Sequence, residues 1–149
     1  MINIAALALL VLAASCTKIE GTITSEGEAL GNWGLVPDEC MTGDRERTVG
    51  ATLYTSKDPT LSVKIAKDIS NRILVAVTIP STCDSNGLCK AVILDSSKCP
   101  SYSADVKLTN VMTPDDYRQA DGRLVLDCMV YIGLKKSRVR GNVSFSNCN

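Results

Sequence analysis

The chain has 149 residues, balances 16 Lys and Arg against 16 Asp and Glu, and contains no histidine. Zero net charge makes poor bait for a phosphate backbone, so no nucleic-acid partner is expected. The missing imidazole removes the commonest general base, proton shuttle and metal ligand, and only six aromatics leave the core to Val, Ile and Leu.

Residues 4–14 read IAALALLVLAA. Eleven apolar residues make about 16 Å of helix, too short to span a bilayer core of about 30 Å, but the right length for the apolar region of a secretory leader. The preceding Met-Ile-Asn has no basic side chain. Two cleavage readings compete. Ordinary signal peptidase would cut near Ala14 or Ser15. A lipoprotein signal peptidase would cut before Cys16 and leave its thiol carrying a diacylglycerol. LAASC, residues 12–16, resembles a bacterial lipobox, although Leu12 lies one residue upstream of the favoured place. Cysteine parity favours the second reading. Beyond Cys16 lie Cys40, Cys83, Cys89, Cys99, Cys128 and Cys148, an even set that can close three disulfides; a seventh thiol would be stranded in an oxidising compartment. The expected organisation is a lipoprotein-type signal peptide at 1–15, a lipidated anchor and first strand at 16–26, and a disulfide-linked β domain at 27–149.

Period-two alternation then recurs along the chain. Strands are expected at residues 18–24, 48–54, 61–65, 73–79, 88–94, 104–108, 124–130 and 137–147. In the last, Val139, Val143 and Phe145 share a side with Gly141, opposite Arg138, Arg140, Asn142, Ser144 and Ser146. Leu124, Leu126, Cys128 and Val130 share a face, which points Cys128 inward. ILVAVTI, residues 73–79, is apolar on both faces and reads as a strand covered on both sides. The glycine-rich residues 26–43 read as an ordered loop. Residues 85–87 and 133–136 read as hairpin turns. TPDDYRQA, residues 113–120, reads as one helical turn: Thr113 caps, Pro114 suits the first helical position, and Asp115 and Asp116 favour the positive dipole end. The fold class is therefore all-β, an antiparallel β-sandwich or flattened barrel of about eight short strands, disulfide-linked, with at most one helical turn.

Six cysteines allow 15 pairings, and Cys83 with Cys89, flanking a short turn, is the pair to choose first. Candidate chemistry is thin. Ser and Cys nucleophiles need a base, and no His supplies it. Asp115, Asp116 and Asp127 would need to face each other across a cleft to serve a hydrolase; capping and solvated strand faces explain them more simply. DSNG, residues 84–87, echoes the start of a calcium loop but lacks the closing Glu, and the cysteine spacing does not suit zinc. Lys135, Lys136, Arg138 and Arg140 form a basic cluster. It can touch anionic lipid or polysaccharide, or serve as a charged face that discourages edge pairing, the reading favoured here. Trp33 is read as a plug at one end of the core rather than a ligand platform. The sequon at 142–144 falls inside an expected strand and is discounted. No catalytic residue, metal or cofactor is expected.

GNWGLVPDEC with TGDRER, an apolar strand, CKAVILDSSKC, VKLTNV and a closing GRLVLDC with VRGNVSFSNC together resemble small cysteine-containing predicted lipoproteins of the myxobacterial type. The likeness covers most of residues 27–148. It implies an anchor, a cysteine-linked β domain and an envelope address, and it brings no activity and no site residues. The resulting expectation is an outer-envelope lipoprotein, held in the membrane by lipid on Cys16. Its role would be non-catalytic, binding or structural, toward an unidentified envelope protein or polysaccharide. The alternative is a secreted soluble binding module or inhibitor of another protein.

Overall fold

The computed structural model describes residues 16–149. The signal-peptide reading falls on residues 1–15, outside the described residues. Among the described residues, ten strands form two antiparallel five-stranded sheets. The first sheet holds β1 (Lys18–Gly27), β2 (Trp33–Leu35), β8 (Ser101–Met112), β9 (Arg118–Ile132) and β10 (Lys135–Cys148), in the order β2-β1-β10-β9-β8. The second holds β3 (Glu39–Thr42), β4 (Gly50–Thr55), β5 (Asp58–Lys67), β6 (Ile73–Thr78) and β7 (Val92–Leu94), in chain order. This is an all-β sandwich linked by three disulfides.

Alternation sorts the side chains as pleating demands. Ile23, Leu124, Leu126, Val130, Val139, Val143 and Phe145 on the first sheet are buried, facing Leu53, Val63, Ile65, Val75 and Val77 on the second. Cys128 points inward and is fully buried. At the end of β10 a bulge intervenes between Phe145 and Cys148. Asn147 takes φ 54°, and the extra residue returns Cys148 to the buried face.

The chain changes sheet twice, between β2 and β3 and between β7 and β8. Each crossover is clamped to the first sheet by a disulfide. Cys40, in β3, bonds Cys148 at the end of β10; Cys99, just before β8, bonds Cys128 in β9. Cys83 bonds Cys89 within the β6–β7 connection.

The structure revises four local expectations. The eight expected strands are present, and residues 26–43 add β2 and β3, too short for alternation to register. Residues 113–120 form no helical turn. Thr113 is buried, its N–H donates to the Tyr117 carbonyl at 2.6 Å, and its Oγ1 accepts from the Tyr117 N–H at 3.1 Å. Thr, Pro and Asp also signal a β-turn, and pairing of β8 with β9 decides between the two. Asp116 is left-handed at φ 63°, which no helix tolerates. Short 3-10 turns lie instead at Gly43–Glu46, Pro80–Thr82 and Ser96–Lys98. The β6 strand is flanked by β5 and β7, but its outer face is not covered: Leu74, Ala76 and Thr78 are half-buried. Finally, β10 is the middle strand of its sheet, so Arg138 and Arg140, which lie where it pairs with both β1 and β9, guard no edge.

Candidate functional site

Cys16 lies exposed, two residues before β1 begins. The corner beside it is built by polar bonds between the two ends of the described chain. Asn147 Nδ2 donates to the Cys16 carbonyl at 3.2 Å, and Thr17 Oγ1 donates to the Asn147 carbonyl at 2.9 Å. Asn149 Nδ2 donates to Thr17 Oγ1 at 3.2 Å, while its Oδ1 accepts from Gln119 Nε2 at 2.7 Å. The Thr42 N–H donates to the Asn149 carbonyl, and Thr42 Oγ1 to the Arg118 carbonyl at 2.7 Å. Arg118 also grips Asp44 through Nη2 at 2.8 Å, and its guanidinium and backbone N–H hold the Asp44 carboxyl below its ordinary range. A group attached to Cys16 would therefore hang from a corner that joins both sheets.

The candidate carboxylates are not brought together. Asp115 sits in the β8–β9 turn and pairs with Arg45 at 3.0 Å. Asp116 shares that turn. Asp127 lies about 30 Å further along β9, where it receives Arg138 in a bidentate pair at 2.8 and 2.6 Å that lowers its pKa. In the residues 84–87 turn, Asp84 Oδ1 accepts from the N–H of Asn86 and Leu88, both at 2.9 Å, so the carboxylate closes its own loop. Trp33 is half-buried against the core, and its Nε1 donates to the Leu30 carbonyl at 3.1 Å. Leu30 is itself held by Ser137 Oγ at 2.8 Å, so this glycine-rich stretch is ordered by the core beneath it.

A cleft of about 740 Å³ opens where β8 passes the ends of β6 and β7, lined by Arg72, Ile73, Asp95, Ser97, Tyr102 and Ser103. Several of its polar groups are already engaged. Tyr102 Oη donates to the Ile73 carbonyl at 2.9 Å, Arg72 binds Asp68, and Ser97 donates to Asp95 from its N–H and its hydroxyl. Burial, and then the nearby Asp95 charge, push the Tyr102 hydroxyl above its ordinary pKa.

The basic cluster divides in two. Arg138 is taken by Asp127, and Arg140 reaches Glu26 at 3.5 Å. Lys135 and Lys136 sit at the β9–β10 tip beside Tyr131, Ile132 and Leu134, all exposed. The sequence marks that tip as a turn with a basic cluster, but not its exposed apolar side chains. The available signal was the break in alternation after Val130, where three large apolar residues crowd around Gly133. No protein-family model, curated protein or solved structure compared with the chain matches it.

Proposed function

We propose that the protein is a lipid-anchored protein of the outer envelope, whose β-sandwich has a non-catalytic binding or structural role toward an envelope protein or polysaccharide. The observation that carries this reading is the position of Cys16, exposed just outside a sandwich whose six other cysteines are bonded to one another. Three disulfides suit an oxidising compartment. The apolar leader pattern and the lipobox-like LAASC supply the route there. The resemblance to myxobacterial-type lipoproteins points the same way. A diacylglyceryl thioether and an acylated amine on Cys16 would hold the domain stably, since two lipid chains already suffice.

Intact mass of the protein from its native envelope tests this. The expected species begins at Cys16, carries the acyl mass, has no free thiol and partitions into detergent. A Cys16→Ser variant is expected to lose the acyl mass. An unmodified Cys16 on a protein that stays in the aqueous phase overturns the anchor and leaves a secreted disulfide-linked binding module or inhibitor.

A further inference from the structure

The register of the first sheet isolates one part of the molecule. On one side, β8 begins at Ser101, paired with Asp127; on the other, β1 ends at Gly27, paired with Ser137. Beyond those pairs β9 and β10 continue together, through Lys136 with Tyr131 and Lys135 with Ile132. Residues 131–136 thus form a hairpin tip that runs past the paired ends of both neighbouring strands, with the Glu28 and Ala29 N–H groups donating to the Lys136 carbonyl at its base. It is closed by the two-residue turn Gly133 and Leu134. Gly133 has φ 63°, at the first turn position, where a tight II′ hairpin takes glycine.

The overhang is apolar at its apex. Leu134 is 105% exposed, Tyr131 67% and Ile132 50%. A sandwich with a complete core gains nothing by presenting three such side chains on one convex point. Lys135 and Lys136 stand directly behind them with no acidic ion-pair partner among the described residues. Nearby charges are largely accounted for: Asp127 is taken by Arg138 and Glu26 by Arg140, while Glu28 borders the hollow beneath the tip.

We propose that the β9–β10 hairpin tip is a contact site for an anionic lipid surface, with Leu134, Ile132 and Tyr131 entering the interface and Lys135 and Lys136 meeting the phosphates. Charge complementarity and shape choose this occupant. A convex apolar tip finds its complement in a fluid interface without a preformed groove. Long Lys side chains lie along the apolar boundary while their ammonium groups stay with the headgroups, and a tyrosine ring suits the same depth. The tip is about 45 Å along β10 from the Cys16 corner, so this contact is separate from any anchor there and does not rest on it.

The test uses residues 16–149, the whole described sandwich, carrying Cys16→Ser, so that neither an acyl group nor the apolar residues 4–14 contribute. This parent and two further variants in the same background, Leu134→Ser and Lys135→Glu with Lys136→Glu, are sedimented with vesicles. The vesicles are phosphatidylcholine alone, or phosphatidylcholine with phosphatidylglycerol at 7:3, at low salt and at 0.5 M salt. The parent is expected to prefer the anionic vesicles and to lose that preference at high salt. Leu134→Ser is expected to weaken binding about tenfold, and the double charge reversal to remove the preference, a loss of about 25-fold. The substituted side chains lie outside the core, so circular dichroism and thermal transition are expected to match the parent; Ile132→Ser repeats the apolar arm if Leu134→Ser does not. Equal binding of parent and variants, or a parent indifferent to phosphatidylglycerol, overturns the proposal. So do tip variants that keep vesicle binding but lose self-association of the chain, which would assign the tip to a protein contact.

Discussion

Gly21 shows how tightly a single position can be specified. It lies inside β1 opposite Val143 with φ 110°, a conformation closed to side chains, and a Cβ placed there would fall 1.9 Å from the Asn142 carbonyl oxygen. Backbone strain and a collision with backbone act together, and neither the β1 nor the β10 main chain can yield without breaking the ladder. Gly21→Ala is expected to cost about 3 kcal/mol or more, read from the denaturation midpoint. Gly31, also left-handed at φ 78°, has nothing within 4 Å of its would-be Cβ. The same substitution there is expected to cost about 1–2 kcal/mol, the conformational penalty alone. A loss at Gly21 no larger than at Gly31 would refute the steric account. Residue-scale signals are also where sequence reading erred. The Thr-Pro-Asp-Asp run at 113–116 serves helix starts and tight turns equally, and only strands arriving on both sides of it decide which forms.

At the scale of elements, the long strands were legible, and of the three shortest only β7 was. Alternating Val, Ile and Leu announced β5, β9 and β10, because a one-sided strand over a core must repeat every two residues. In β2 and β3, with three and four residues, no period can establish itself. They exist because β1 and β4 offer them an open edge. The disulfides act between elements in unequal measure. Cys40–Cys148 spans 108 residues and Cys83–Cys89 only 6. Chain-entropy arguments put the first near 5 kcal/mol and the second near 2. Replacing Cys40 and Cys148 by serine is therefore expected to lower stability more than replacing Cys83 and Cys89, measured by denaturant unfolding. Cys83 and Cys89 also sit partly open to solvent, whereas Cys148 and Cys128 are fully buried. Mild reduction followed by alkylation is expected to label Cys83 and Cys89 first. Earlier labelling of Cys40 or Cys148 would sink that order.

Across the whole molecule, five aspartates share one electrostatic pattern. Asp38, Asp44, Asp68, Asp95 and Asp127 all have lowered pKa values, through hydrogen bonds from Ser56, Arg118, Arg72, Ser97 and Arg138 respectively. A carboxyl with a pKa lower in the folded than in the unfolded chain stabilises the fold above its unfolded value, here 3.8. That contribution is lost as pH falls through the folded value. Stability is therefore expected to hold from neutrality down to about pH 5 and to decline below it. Asp44→Asn, which cuts the tie between the Gly43–Glu46 turn and β9, should lower stability at pH 7 and flatten the acid decline. Denaturant midpoints at several pH values check both, and an unchanged acid slope would remove Asp44 from the account.

The sequence by itself determined the class of this fold: alternation with few aromatics demands two β layers over an aliphatic core, and the even cysteine set permits its closure by disulfides. Parity, a property of composition, also said that seven cysteines cannot all pair among themselves, and the leader-like residues 4–14 made Cys16 the candidate for the odd one. Beyond the Cys83–Cys89 pair, which its short turn already suggested, only the tertiary structure decided which cysteines meet, which strand lies in the middle of its sheet, and that Arg138 and Arg140 are neutralised while Lys135 and Lys136 stand beside a projecting apolar tip. Those outcomes depend on where strands end relative to their neighbours. Register between distant segments is set by packing the two sheets against each other, and no local period encodes it.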